Sequence, residues 1–103
     1  MTRSMTFSLL AWALLTAAAA SSAFAYTGQA LESGAHVKLS RATAIALRAR
    51  PGTITDRELE RERGGSGLRY SFDIRAKGVT YEVGVDAMTG RVLENAREGA
   101  HPD

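Results

Sequence analysis

Histidine is the side chain best suited to moving protons near neutral pH, and this chain carries two, His36 and His101. A nucleophilic enzyme needs a serine or cysteine with such a base in reach. The chain has no cysteine, and its histidines fall in a polar stretch before the first periodic segment and in the last three residues. Such positions do not hold side chains in catalytic or metal-binding geometry. The expectation is therefore a non-enzyme with no cofactor and no metal centre. "GGSG", Gly64 to Gly67, has the glycines of a phosphate cradle but lacks the lysine and helix start that such a loop requires. A hairpin loop accounts for it.

Two polar groupings remain. In "VDAMTG", Asp86 can accept hydrogen bonds from the amides that follow it, Thr89 can add its hydroxyl, and Gly90 can supply the positive φ that reverses the chain. Turn chemistry explains all three without a ligand. The second is acidic. If Gly64 to Gly67 form a four-residue loop, Glu58, Asp73 and Glu82 fall opposite one another in adjacent strands. Opposed like charges destabilise a sheet, so the row calls for a cation or for shielding by Arg57 and Arg75. Calcium is poorly matched, because the Gly-bearing loop of carbonyl ligands is missing.

These groups must be positioned by a small set of elements. Tyr70, Phe72 and Ile74 alternate with polar residues; after Lys77-Gly78, Val79, Tyr81, Val83 and Val85 do the same. That is a two-stranded antiparallel hairpin in which Ile74 faces Tyr81, Phe72 faces Val83 and Tyr70 faces Val85. A one-residue slip would set the apolar row against polar partners. The Asp86 to Gly90 turn then leads to a further strand through Val92 and Leu93. Upstream, Leu39, Ala42, Ile45, Ala46 and Ala49 share one helical stripe, and Ser40 can cap a helix from about Arg41 to Ala49. Arg50-Pro51-Gly52 ends it. Between helix and hairpin, "TITDRELERER" carries like-charged i,i+4 pairs (Asp56/Glu60, Arg57/Arg61, Glu58/Glu62), which disfavour a helix despite a capping-box match at Thr55 and Glu58. It reads as a charged edge strand with Leu59 facing inward. The fold class is α+β: one N-terminal helix packed on an antiparallel sheet of three to four strands. Its expected core is Ala42, Ile45, Ala46, Leu59, Tyr70, Phe72, Ile74, Tyr81, Val83 and Val85.

The chain ends frame this domain. Arg3 precedes an almost unbroken apolar run, Phe7 to Ala20, and Ala23-Phe24-Ala25 supplies the small residues of a cleavage site. The run is shorter than the ~20 apolar residues a membrane span needs. Residues 1–25 are thus expected to be a signal peptide, with a periplasmic or secreted product and no membrane insertion after cleavage. Residues 26–38 read as a flexible leader, 39–95 as the domain and 96–103 as a disordered tail. Without Arg3, the 13 Lys plus Arg become 12 against 11 Asp plus Glu, a formal charge of +1. A nucleic-acid partner is not indicated, since it would call for concentrated positive charge.

The order of these elements resembles the PepSY domain family. The resemblance is carried by Ala42 and Ala46 on the helix, Pro51-Gly52 after it, Ile54 and Leu59 in the charged strand, and Tyr70. It continues through Tyr81-Glu82-Val83 and Val85-Asp86-Ala87 to Thr89-Gly90-Arg91-Val92-Leu93. It covers nearly all of Leu39 to Glu94 and implies a helix on an antiparallel sheet. PepSY domains occur in propeptides of thermolysin-like secreted metallopeptidases and as free-standing bacterial envelope proteins. The resemblance implies a trans-acting regulator or inhibitor of extracytoplasmic peptidases, with an envelope sensor or adaptor that binds protein or peptide as the alternative. Either would bind a protein partner, and the candidate contacts are Arg57, Arg61 and Arg63 of the charged strand.

Overall fold

The computed structural model describes residues 25–99. The expected signal peptide, Ala25 apart, and the segment from Ala100 to the end, with His101, lie outside the described residues. One helix, α1 (Leu39–Ala49), packs on a four-stranded antiparallel sheet of β1 (Thr53–Arg61), β2 (Leu68–Ala76), β3 (Val79–Asp86) and β4 (Val92–Arg97). The strands lie in sequence order, so β1 and β4 are the edges.

The helix forms where the alanine stripe predicts, and Ala42 and Ala46 are fully buried against the sheet. It starts two residues earlier than expected. Lys38 holds the N-cap position without a side-chain cap, and Ser40 lies inside the helix. At the other end, the Arg50 amide closes the last turn on the Ala46 carbonyl, and Pro51 has no amide to continue it. Gly52 then passes so near the Arg75 carbonyl that a Cβ would lie 2.5 Å from its oxygen.

The central hairpin has the register its alternation dictates: Ile74 opposite Tyr81, Phe72 opposite Val83 and Tyr70 opposite Val85. Lys77 (φ 52) and Gly78 (φ 78) make the two-residue turn, the left-handed pair that matches strand twist. Leu59, Tyr70, Phe72, Ile74, Val83 and Val85 are buried beneath the helix side, and Val37, Leu68 and Ala87 complete the core. Ile45 and Tyr81, expected there too, are half-buried. The reason at Tyr81 is that Arg50 covers its ring, 3.9 Å from the centroid, while the same guanidinium donates to Asn95 Oδ1 at 3.1 Å. That pair ties the end of α1 to β4 and shields the ring with a cation.

The segment expected as a flexible leader is packed. Gln29–Gly34 forms a short 3₁₀ helix against β1. The His36 and Val37 amides both donate to the Ala87 carbonyl, at 3.0 and 2.8 Å. The buried Tyr70 hydroxyl donates to the Val37 carbonyl at 2.6 Å. At the other end, Ala96 and Arg97 belong to β4 and the Glu98 amide donates to the Thr80 carbonyl, so order extends beyond the expected start of the tail.

Candidate binding edge

The turn after β3 is built on one carboxylate. Asp86 Oδ1 accepts from the Met88 amide (2.8 Å) and the Thr89 amide (3.2 Å), and Thr89 Oγ1 accepts from the Arg91 amide. Gly90 follows at φ 81, with room for a Cβ only 3.3 Å from Ile45 Cδ1. Asp86 has a second task that its sequence position conceals: it also accepts from the Ser66 amide at 2.7 Å and the Ser66 hydroxyl at 2.8 Å. One buried side chain therefore fixes both the β3–β4 turn and the glycine loop before β2. Burial alone would raise its pKa, but the donors from Ser66, Met88 and Thr89 outweigh this and hold it at about 2. Gly65, at φ 54, has no room for a Cβ, which would crowd Asp86 Oδ2 and Leu93.

The loop is longer than four residues. Glu62 donates its amide to the Gly67 carbonyl, and the last β1–β2 pair is Arg61 with Leu68. This moves β1 by two residues from the expected register. Asp56, and not Glu58, faces Asp73, which in turn faces Glu82; Glu58 faces Ser71. The acidic row exists with a different first member. It lies on the sheet face away from α1, and Glu60 and Glu94 join it there. Burial pushes Glu60 up to about 7, helped by Glu58 and Glu62. Burial, followed by Glu98 and Asp56, raises Asp73; burial, followed by Glu94 and Asp73, raises Glu82.

Shielding comes from an unexpected residue. Strand alternation puts Arg57 on the helix side with Leu59, where it cannot reach the row. The cation embedded among the carboxylates is Arg69, 8% exposed, lying across Gly84 and 3.5 Å from Glu94. Its Nη2 donates to the Arg63 carbonyl at 3.2 Å. Gly84 makes this possible, since a Cβ there would come 3.2 Å from Arg69 Nη1. A single glycine in an otherwise alternating strand was the one sequence signal of that close approach. Among the described residues, no three His, Cys, Asp or Glu side chains converge on a metal position.

The three candidate arginines do not form one row. Arg57 and Arg61 flank buried Leu59 on the same side of β1, both exposed, whereas Arg63 lies in the loop beyond the strand. The more telling feature is the backbone between them. The Leu59 amide points away from β2 and donates to the Thr27 carbonyl at 3.0 Å. Amides alternate along a strand, so those of Arg57 and Arg61 also face outward, while those of Glu58 and Glu60 face β2. Among the described residues, Leu59 alone of the three meets a donor–acceptor partner on that side. Beside this edge, between Ala25–Thr27 and Ile54–Arg57, lies an open groove of about 390 Å³.

An open sheet edge is a place where another chain can add a strand. The chain belongs to the PepSY family: the family model described as "Peptidase propeptide and YPEB domain" matches residues 37–95. The match begins at Val37, whose amide and carbonyl are both engaged by the domain. Comparison with the curated proteins and with the solved structures gave no match. No described helix is long and apolar enough to cross a membrane.

Proposed function

We propose that this chain is an exported binding module that regulates an extracytoplasmic peptidase in trans, by adding a strand of its partner to the β1 edge. Membership of a family named for peptidase propeptides makes a peptidase the leading partner. The observation that carries the mode of binding is the row of outward amides at Arg57, Leu59 and Arg61 on a nine-residue edge strand. Main-chain pairing supplies affinity there, and the arginine side chains beside it supply selectivity. The same surface is a poor substrate for the enzyme it meets, because its backbone is already committed to a sheet.

The test uses the protein recovered from the extracytoplasmic fraction, whose intact mass should begin at Tyr26. Added at stoichiometric concentration to metallopeptidases secreted by the same organism, it should slow cleavage of a small peptide substrate. Arg57→Pro should weaken this by removing an outward donor while sparing the β1–β2 ladder. Proline at Glu60 is unsuited, since that amide faces β2. Failure to inhibit any co-secreted peptidase, with a sensor or transporter recovered by cross-linking, would favour an adaptor.

A further inference from the structure

The β1 edge is already touched by a strand, and that strand is the chain's own leader. Thr27 forms a parallel bridge with Glu58, and its carbonyl takes the Leu59 amide. The pairing stops after one residue. Gly28, at φ 84, turns the chain away into the 3₁₀ helix, and it lies so close to β1 that a Cβ would overlap the Leu59 carbonyl oxygen. The leader's other ties are internal or lie further along: the Gln29 amide returns to the Tyr26 carbonyl, and the Tyr26 hydroxyl donates to Glu32 at 2.7 Å. Thus one interstrand hydrogen bond and the Tyr26 ring, which packs against the core, hold Tyr26–Thr27 on the edge. Towards Thr53, the groove continues along the track a longer parallel strand would follow, past the register shift between Ile54 and Asp56.

We propose that Tyr26–Thr27 is a displaceable occupant of the β1 edge. It holds the place of a partner's extended peptide strand, which runs parallel to β1 and takes over the Leu59 amide. This rests on the reading that a partner strand adds to β1, and it adds the strand direction and a built-in competitor. A partner strand can extend along the groove towards Thr53, beside Arg57, where the leader makes no main-chain bond. It would gain the outward donors of Arg57 and Leu59 for the loss of one existing bond. The leader in turn lowers the edge's affinity for unrelated strands, a guard against indiscriminate sheet pairing.

Gly28→Val should push the leader off β1, because its side chain cannot coexist with the Leu59 carbonyl. Amide hydrogen exchange on the full chain reads this directly. Leu59 should exchange at least about tenfold faster in the variant, while Phe72 and Val83, inside the hairpin, stay unchanged. A synthetic peptide with the sequence YTGQALES, residues 26–33, should restore Leu59 protection in the variant and bind the unaltered chain at least about tenfold more weakly. Should Gly28→Val also speed exchange at Phe72 and Val83, Tyr26→Ser takes its place; it loosens the leader by removing the ring's packing on the core together with the bond to Glu32, and the same pattern should appear at smaller amplitude. Unchanged Leu59 exchange in a folded variant would overturn the proposal, as would faster exchange with no protection by the peptide. No peptidase enters this experiment, so a negative inhibition assay beside a positive result here removes the proposed target and leaves the strand-accepting edge.

Discussion

The two faces of this sheet keep their form by opposite means. On the helix side, Leu59, Tyr70, Phe72, Ile74, Val83 and Val85 are each no more than 2% exposed, and the alanines of α1 bring the helix close over them. On the other side, Asp56, Asp73 and Glu82 face one another across three strands with Glu58, Glu60 and Glu94 alongside. The first face is closed by removing apolar surface from water. The second has no helix over it, and its half-buried carboxylates, partly stripped of water, repel one another at cross-strand distance. A small domain can therefore gain stability from one face and solubility from the other, provided that the acidic side is pinned somewhere. Asp86 and Arg69, both buried, do the pinning, one by collecting amides and the other by lying over Gly84.

That contrast is most sharply tested on the packed face. Phe72→Ala should cost about 3–5 kcal/mol, because Phe72 is wholly enclosed and next to Tyr70, with ring centroids 6.5 Å apart. A core this small seldom supplies more than about 3–5 kcal/mol in total. The variant should accordingly be largely unfolded by circular dichroism at room temperature, and a cooperative thermal transition near the original midpoint would refute the account of the core.

A smaller loss is expected where the acidic side is pinned. Asp86→Ala strands the Ser66, Met88 and Thr89 amides together, at a cost of about 2–3 kcal/mol. Urea denaturation should show it, with hydrogen exchange rising in both the Ser66 loop and the Met88 turn. A change confined to one loop would mean that Asp86 does not couple them.

The smallest effect should be a gain. Glu60 titrates near 7 in the folded protein against 4.5 when free, so between these values the native state keeps a proton that the unfolded chain has released. Its contribution to stability is therefore present below 4.5 and lost as pH rises through about 7. Asp86 acts in the reverse sense, its contribution present above 3.8 and lost as pH falls towards about 2. Stability should peak under mildly acidic conditions. Glu60→Gln should add about 0.5–1 kcal/mol at pH ~8 and nothing at pH ~4, measured by urea denaturation at both. An equal gain at both would show that the acidic face is not self-repelling.

What could be read in advance divides along physical lines. The β2–β3 register was legible because strict alternation and a two-residue turn leave no other pairing. The β1 register was not, since it depends on where the Glu62 amide closes the glycine loop and on the shift at Ile54/Asp56, and neither is set by side-chain pattern. Side-chain pattern alone consequently puts Glu58 in the acidic row where Asp56 stands. Packing of residues 26–38 is not marked in the sequence for a related reason: its hydrogen bonds to the sheet run through main-chain groups of Thr27, His36 and Val37, which are the same for any residue type, and the side chains it packs on the core, Tyr26, Leu31, Ala35 and Val37, follow no period. Arg69 was hidden by its charge, which marks most arginines as solvent-exposed.

The tight connection at Lys77-Gly78 also bears on the order in which the chain folds. Closing two residues costs little chain entropy, and isolated hairpins form in about 1–10 μs. The β2–β3 hairpin can thus appear while the rest of the chain is open, but its apolar face then has nothing over it. Cover comes from α1, which precedes it by two elements and must return across β1, with the leader docking through Val37 on Ala87 and Tyr70. That return should therefore limit the rate of folding, with the hairpin as the template on which it ends.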